Sequence, residues 1–124
     1  MAIKLWVVAN ATTASGTLTN TEHDYDPTNI PASAVVHTGG RDGDYIRIPD
    51  CSESKYYADH HILISAPGWT VALWNNDAQG HKLYWSAGDF YSEQHPVQGS
   101  DGYEACSILI QQTDSGVAVF ASPF

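Results

Sequence analysis

Six histidines, fourteen acidic residues and two cysteines are the groups in this chain with chemistry to offer. Their spacing assembles little of it. His60 and His61 are adjacent, so on a strand they face opposite sides of the sheet and do not converge on one ion. No H-x-H, H-E-x-x-H or paired C-x-x-C spacing occurs. A transition-metal site would need distant partners: His23 with Asp24 and Asp26, or His60 or His61 with His81 or His95. Asp24-Tyr25-Asp26 and Asp42-Gly43-Asp44 hold carboxylates two apart, as calcium loops do, yet neither continues into a complete loop. Asp before Gly is also what tight turns use. Neither serine nor cysteine has a nucleophile signature such as G-x-S-x-G. The carboxylate pairs Asp89/Glu93 and Asp101/Glu104 lie in polar stretches that simply solvate them. No cofactor is expected, and the chain reads as a non-enzyme.

Aromatic residues are the more informative set. There are four Trp, seven Tyr and three Phe. Tyr25, Tyr56, Tyr57, Trp74, Tyr84, Trp85, Phe90, Tyr91 and Tyr103 sit in loops or polar neighbourhoods. The alternative is that about half of the aromatics are core, since Trp6, Trp69 and also Trp85 alternate with inward residues. Aromatic faces beside Asn, Asp and His suit sugars, through stacking plus hydrogen bonds. At a bilayer, Trp and Tyr favour the head-group level because one end is apolar and the other polar. The expected ligand-binding set is Tyr84, Trp85, Phe90 and Tyr91, clustered around Gly88, with Trp74 and Tyr103 beside it.

Charge narrows the partners. Five Lys and Arg against fourteen Asp and Glu give a net charge of −9. That repels phosphate backbones, and no basic run overrides it, so nucleic acid is excluded as an expected partner. It also disfavours adsorption to anionic lipid by charge alone. Neutral glycans and zwitterionic lipid head groups remain.

The elements that must position these residues read as strands. With 124 residues, the sequence fits one domain over 1–124, burying roughly two thirds of its unfolded surface. Charged residues are only 15%, and helical surfaces normally use Lys, Glu and Arg, so the shortage argues for sheet. Strands are expected at Ile3–Ala9, within Ala11–Thr21, at Ala34–Thr38, from Tyr45 to Ile48, in Tyr56–Ser65, at Trp69–Trp74, His81–Ser86, Ala105–Gln112 and Val117–Ala121. Turn clusters separate them: Gly39–Asp44, Pro67-Gly68, Asn75–Gly80 and Thr113–Gly116. Glu22–Pro31 and Phe90–Tyr103 read as long loops. In Trp69–Trp74, the residues Trp69, Val71 and Leu73 face one way and Thr70, Ala72 and Trp74 the other. The expectation is all-β: a single-domain antiparallel β-sandwich of eight or nine short strands, with a barrel as the alternative.

Compartment follows from smaller signals. The apolar run near the N-terminus is shorter than a signal core and stops at Asn10, so a cytoplasmic protein, or one released without a visible signal peptide, is expected. Asn10-Ala11-Thr12 then reads as a chance match to a glycosylation sequon. Cys51 and Cys106 stay reduced in the cytosol. In an oxidising compartment they could close a large loop, worth on the order of 4 kcal/mol in the chain-entropy model.

The order of several features resembles the aegerolysins, small acidic β-sandwich proteins without signal peptides. The resemblance rests on Trp6 in the opening strand, on Ile46-Arg47-Ile48-Pro49-Asp50-Cys51-Ser52, on His81-Lys82-Leu83-Tyr84-Trp85, and on Asp114-Ser115-Gly116 before the last strand. It implies recognition of membrane lipid head groups, in some members together with a larger pore-forming protein. Family members usually carry a second Cys and further Trp after the aromatic knot; here Ser86-Ala87-Gly88-Asp89 follows. Only Tyr84 and Trp85 are therefore carried over as lipid contacts. The leading expectation is a defence- or toxin-like lipid-recognition protein. A cytosolic lectin using the same aromatics on a free glycan is the second, and a small metal-dependent β-barrel enzyme the third. Exposed edge strands leave a homodimer open.

Overall fold

The structure, a computed structural model, describes residues 3–21, 27–38, 46–51, 61–76, 82–87, 95–97, 105–114 and 116–123. These form eleven strands: β1 Ile3–Ala11, β2 Gly16–Asn20, β3 Thr28–Ile30, β4 Ala34–His37, β5 Ile46–Ile48, β6 Ile62–Ala66, β7 Trp69–Asn76, β8 Lys82–Ala87, β9 His95–Pro96, β10 Ala105–Thr113 and β11 Gly116–Pro123. They build two sheets rather than a closed barrel. The first runs β11-β10-β1-β4, with β5 also on β1, and the second runs β3-β2-β6-β7-β8-β9. The all-β sandwich expected from the sequence is what forms.

Three details differ from that expectation. β3 and β9 lie inside stretches read as loops; each is a two- or three-residue edge pairing, too short to leave a periodic pattern. The strand count is accordingly higher. In addition, β1 and β10 pair in parallel, from Lys4↔Ala105 to Ala11↔Gln111, within an otherwise antiparallel sheet. The register shifts between Leu5 and Val7, leaving Trp6 as the extra residue of a bulge.

Alternation fixes what faces inward. Ile3, Leu5 and Val8 of β1, Ile108 and Ile110 of β10, Ile62 and Ile64 of β6, and Val71 and Leu73 of β7 meet in one apolar core that spans both sheets. Two hairpin turns show why their residues were chosen. Pro67-Gly68 closes β6 on β7 with Pro at the first central position and a left-handed Gly68 (φ 91°) at the second, the type II pattern. β10 turns back into β11 between the paired Thr113 and Gly116, with a positive φ at Gly116. At one corner the chain crosses between sheets. After β5 it reaches β7, where the Cys51 N–H donates to the Asn75 carbonyl (2.7 Å) and the Asn75 N–H to that of Pro49 (2.9 Å).

A polar knot ties β1 to the following turn. The Asn10 side chain donates to the carbonyls of Ala14 (2.9 Å) and Ile30 (3.1 Å), while its Oδ1 accepts from the Thr12 N–H (3.0 Å) and hydroxyl (2.7 Å). Asn10 is 1% exposed and Thr12 2%. The sequon is thus consumed in internal hydrogen bonding, and its amide is not offered to a glycosyl donor in the folded state.

The two cysteines form no disulfide and both are buried: Cys106 lies in the central core, and Cys51 packs with Ala72 and Trp74 in a second cluster. Burial pushes the Cys106 thiol up from 9.0 to about 12. Below about pH 9 the thiol is protonated whether or not the chain is folded. Above it the unfolded chain loses the proton and the folded one keeps it, so stability falls as pH rises from about 9 through about 12. The slope is at most about 1.4 kcal/mol per pH unit. We expect a thiol reagent at neutral pH to label neither cysteine in the native protein and both in denaturant. Cys106→Ser should flatten the alkaline limb of a stability–pH profile. Rapid labelling of native protein would place a thiol at the surface instead.

Candidate functional site

Of the six residues expected to bind ligand, the three that the structure describes, Trp74, Tyr84 and Trp85, do not share one surface. Phe90, Tyr91 and Tyr103 lie outside the described residues. Trp74 is fully buried rather than presented to a ligand, because it points away from the central core into the cluster with Cys51 and Ala72. Tyr84, half-buried, stacks on it with ring centroids 6.0 Å apart and planes at 16°. Trp85 is the next residue of the same strand, so the pleat turns it to the opposite face. There it pairs with Leu73 and packs on the central core, with its ring 4.9 Å from that of His95 on β9. Tyr84 and Trp85 therefore belong to different surfaces of the second sheet.

The described histidines His61 and His95 separate as well. His61 is buried beside Thr21, whose hydroxyl donates to the His61 carbonyl (2.9 Å), and it precedes Ile62. Ile62, Leu73, Trp85 and His95 lie in one register row across four strands. Three strand spacings of about 4.8 Å place His61 and His95 too far apart to share an ion. The metal-site pairing of His61 with His95 is thereby corrected; His60 and His81 lie outside the described residues. Among the described residues, no three His, Cys, Asp or Glu gather as a metal site.

A different surface stands out on the outer face of the first sheet. Strand register aligns Val35 of β4, Ala9 of β1, Leu109 of β10 and Phe120 of β11 in one transverse row. Their neighbours Val36, Val8, Ile108 and Ala121 face the core, so this row faces away from it. Val35 is 65% exposed and Phe120 47%, the two exposed large hydrophobic residues among those described. The row spans about 14 Å across four strands. A shallow, open depression of about 330 Å³, lined in part by Ala9, Ser33, Ala34 and Val35, adjoins its β4 end.

Along the same face, toward the β5 end, the next row holds exposed His37, half-buried Val7 and two serines, Ser107 and Ser122. Beyond it Lys4 and Arg47 stand directly opposite each other on β1 and β5, both exposed. Four residues of β10, from Ala105 to Leu109, separate the cations from the apolar row, about 13 Å. Lys4 makes a further interaction within the chain. No Asp or Glu among the described residues shares this face; Asp114 sits at the hairpin tip and Asp50 at the corner that leads to the second sheet.

Sequence reasoning missed Val35, Phe120, Leu109, Lys4 and Arg47. The available signal was that Ile108-Leu109-Ile110 and Val119-Phe120-Ala121 are apolar on both faces, which a half-solvated strand has no need to be. Comparisons with protein-family profiles, characterised proteins and solved structures find no match to this chain.

Proposed function

We propose that this chain is a non-enzymatic recognition protein that docks on zwitterionic membrane lipid through the outer face of its first sheet. The observation that carries the reading is the Val35–Ala9–Leu109–Phe120 row, exposed at its Val35 and Phe120 ends, on the same face as exposed Arg47, in a chain of net charge −9. A zwitterionic bilayer supplies both complements: apolar acyl chain just under the head groups, and phosphate oxygens for a guanidinium. Its surface carries no net negative charge, so the acidic remainder of the protein is not repelled. The resemblance to aegerolysins points to the same class of ligand but not to this face, since the contacts carried over from it, Tyr84 and Trp85, lie on the second sheet.

Affinity through one such face is modest. Full burial of a Val or Phe side chain gains about 1.5–3 kcal/mol, and both are already partly covered here. Most of the binding is then apolar, and its dependence on salt should be weak.

Vesicle pelleting tests this. Wild-type protein should sediment with phosphatidylcholine vesicles, and the Val35→Asn, Phe120→Asn double variant, changed only at exposed positions, should bind about tenfold or more weakly. Arg47→Gln should weaken binding less. If the double variant binds normally while Trp85→Ala abolishes binding, the contact surface lies on the second sheet. If binding rises steeply as salt falls, charge rather than apolar contact drives it.

A glycan-binding reading has one observation in its favour, the half-buried Trp85 ring tilted against exposed His95 at the β8–β9 edge. An indole face beside an imidazole offers a sugar both stacking and a hydrogen bond. Binding on a glycan array that is lost in Trp85→Ala, with no vesicle pelleting, would favour it.

A further inference from the structure

Sheet edges are where strand proteins recruit partners, and proteins ordinarily blunt them with short strands, proline, bulges or charge. Among the described residues, three of the four edges are blunted. In the second sheet β3 has three residues, and β9 has two, one of them Pro96. On one side of the first sheet, β4 and β5 share β1 as pieces of four and three residues. The fourth edge is different. β11 runs eight residues, Gly116-Val-Ala-Val-Phe-Ala-Ser-Pro123, with no charged side chain and proline only at its last position. Its register with β10 is continuous from Thr113↔Gly116 to Cys106↔Pro123, so no bulge twists it away. Among the described residues β11 pairs with β10 alone.

We propose that β11 is an assembly edge, on which a second copy of this chain adds its own β11 in antiparallel sense. Self-pairing needs a strand that complements itself about a two-fold axis, and an antiparallel pair of identical strands does so in hydrogen bonding whatever its side chains. Charge decides for a copy of this chain over an unrelated acidic or basic peptide. With no charge on β11, two copies meet without like charges opposed, although each chain carries −9 overall. Phe120 supplies the apolar gain: it stands 47% exposed on the edge strand, and a neighbouring strand would cover it. The assembly joins two first sheets into one continuous sheet of twice the width, with both apolar rows on the same side.

This inference does not depend on the membrane reading, and its test contains no lipid. Sedimentation velocity between about 1 and 300 µM, a range that brackets weak self-association, should show a reversible monomer–dimer equilibrium. Ala118→Lys puts a cation from each copy on the outer face of the joined edge, where the strand otherwise carries no charge, and should shift the midpoint at least about tenfold toward monomer. Hydrogen exchange gives the second measurement: backbone amides of residues 116–123 in wild-type protein should gain protection as concentration rises. A chain that stays monomeric across the range overturns the proposal. So does a dimer unaffected by Ala118→Lys, or one whose added protection falls at β3, β4 or β9 instead.

Discussion

Leu73→Asp is expected to leave no folded protein at 25 °C, seen as loss of the native far-UV circular dichroism and of a cooperative melting transition. Leu73 is fully buried, between Ile62 on β6 and Trp85 on β8, in the middle of the core that both sheets share. An aspartate there either stays charged without a partner or takes up a proton at a steep cost, several kcal/mol in each case. The lost leucine packing adds about 2–5 kcal/mol. Domains of this size are stable by only about 5–15 kcal/mol in total. A variant that kept a cooperative transition near the wild-type temperature would mean that Leu73 does not face the core.

Asn10→Ala is expected to cost about 3–5 kcal/mol, an exceptional figure for a polar residue. The reason is the number of groups that one side chain satisfies. Without it the Thr12 N–H and the Ile30 carbonyl lose their partner in a buried setting, at about 1–3 kcal/mol for each group stranded, and the Ala14 carbonyl keeps only the Thr12 hydroxyl. Asn10→Asp tests the geometry more finely. It keeps the acceptor for Thr12 but loses both donated bonds, and it buries a carboxylate, so it should be no milder than alanine. Denaturant unfolding followed by tryptophan fluorescence measures both. A loss under 1 kcal/mol for Asn10→Ala would show that water replaces the side chain.

Alternation made the inward set of Trp69–Trp74 legible, since Trp69, Val71 and Leu73 are the ones the core contains. It did not reveal the burial of Ala72 and Trp74 on the other face, which a period of two assigns to solvent. Asp114-Ser115-Gly116 announced its hairpin because only a few residues tolerate the backbone it needs. The parallel pairing of β1 with β10 was not legible, since no local pattern records which distant strand becomes a neighbour. Nor was the apolar outer row. When residues on both sides of the pleat are apolar, as in Ile108-Leu109-Ile110, period-two reasoning cannot tell the core face from the exposed one. The misreading of Tyr84 with Trp85 had a different origin. Closeness in sequence is not closeness on a surface, because the pleat turns adjacent residues to opposite faces of the sheet.

β1 occupies the middle of the first sheet, yet one of its two flanking partners, β10, lies about a hundred residues further along the chain. On the ribosome, the opening strand therefore emerges long before the segment that covers its parallel edge. β4 and β5 reach its other edge earlier, but only in short pieces. Through most of synthesis Ile3, Leu5 and Val8 wait with one row of backbone donors and acceptors unclaimed, in the condition that invites misplaced strands or a chaperone. Contacts so distant in sequence carry a large loop-closure entropy before any of them rewards it, which sets this topology among the slow folders, in milliseconds to seconds rather than microseconds.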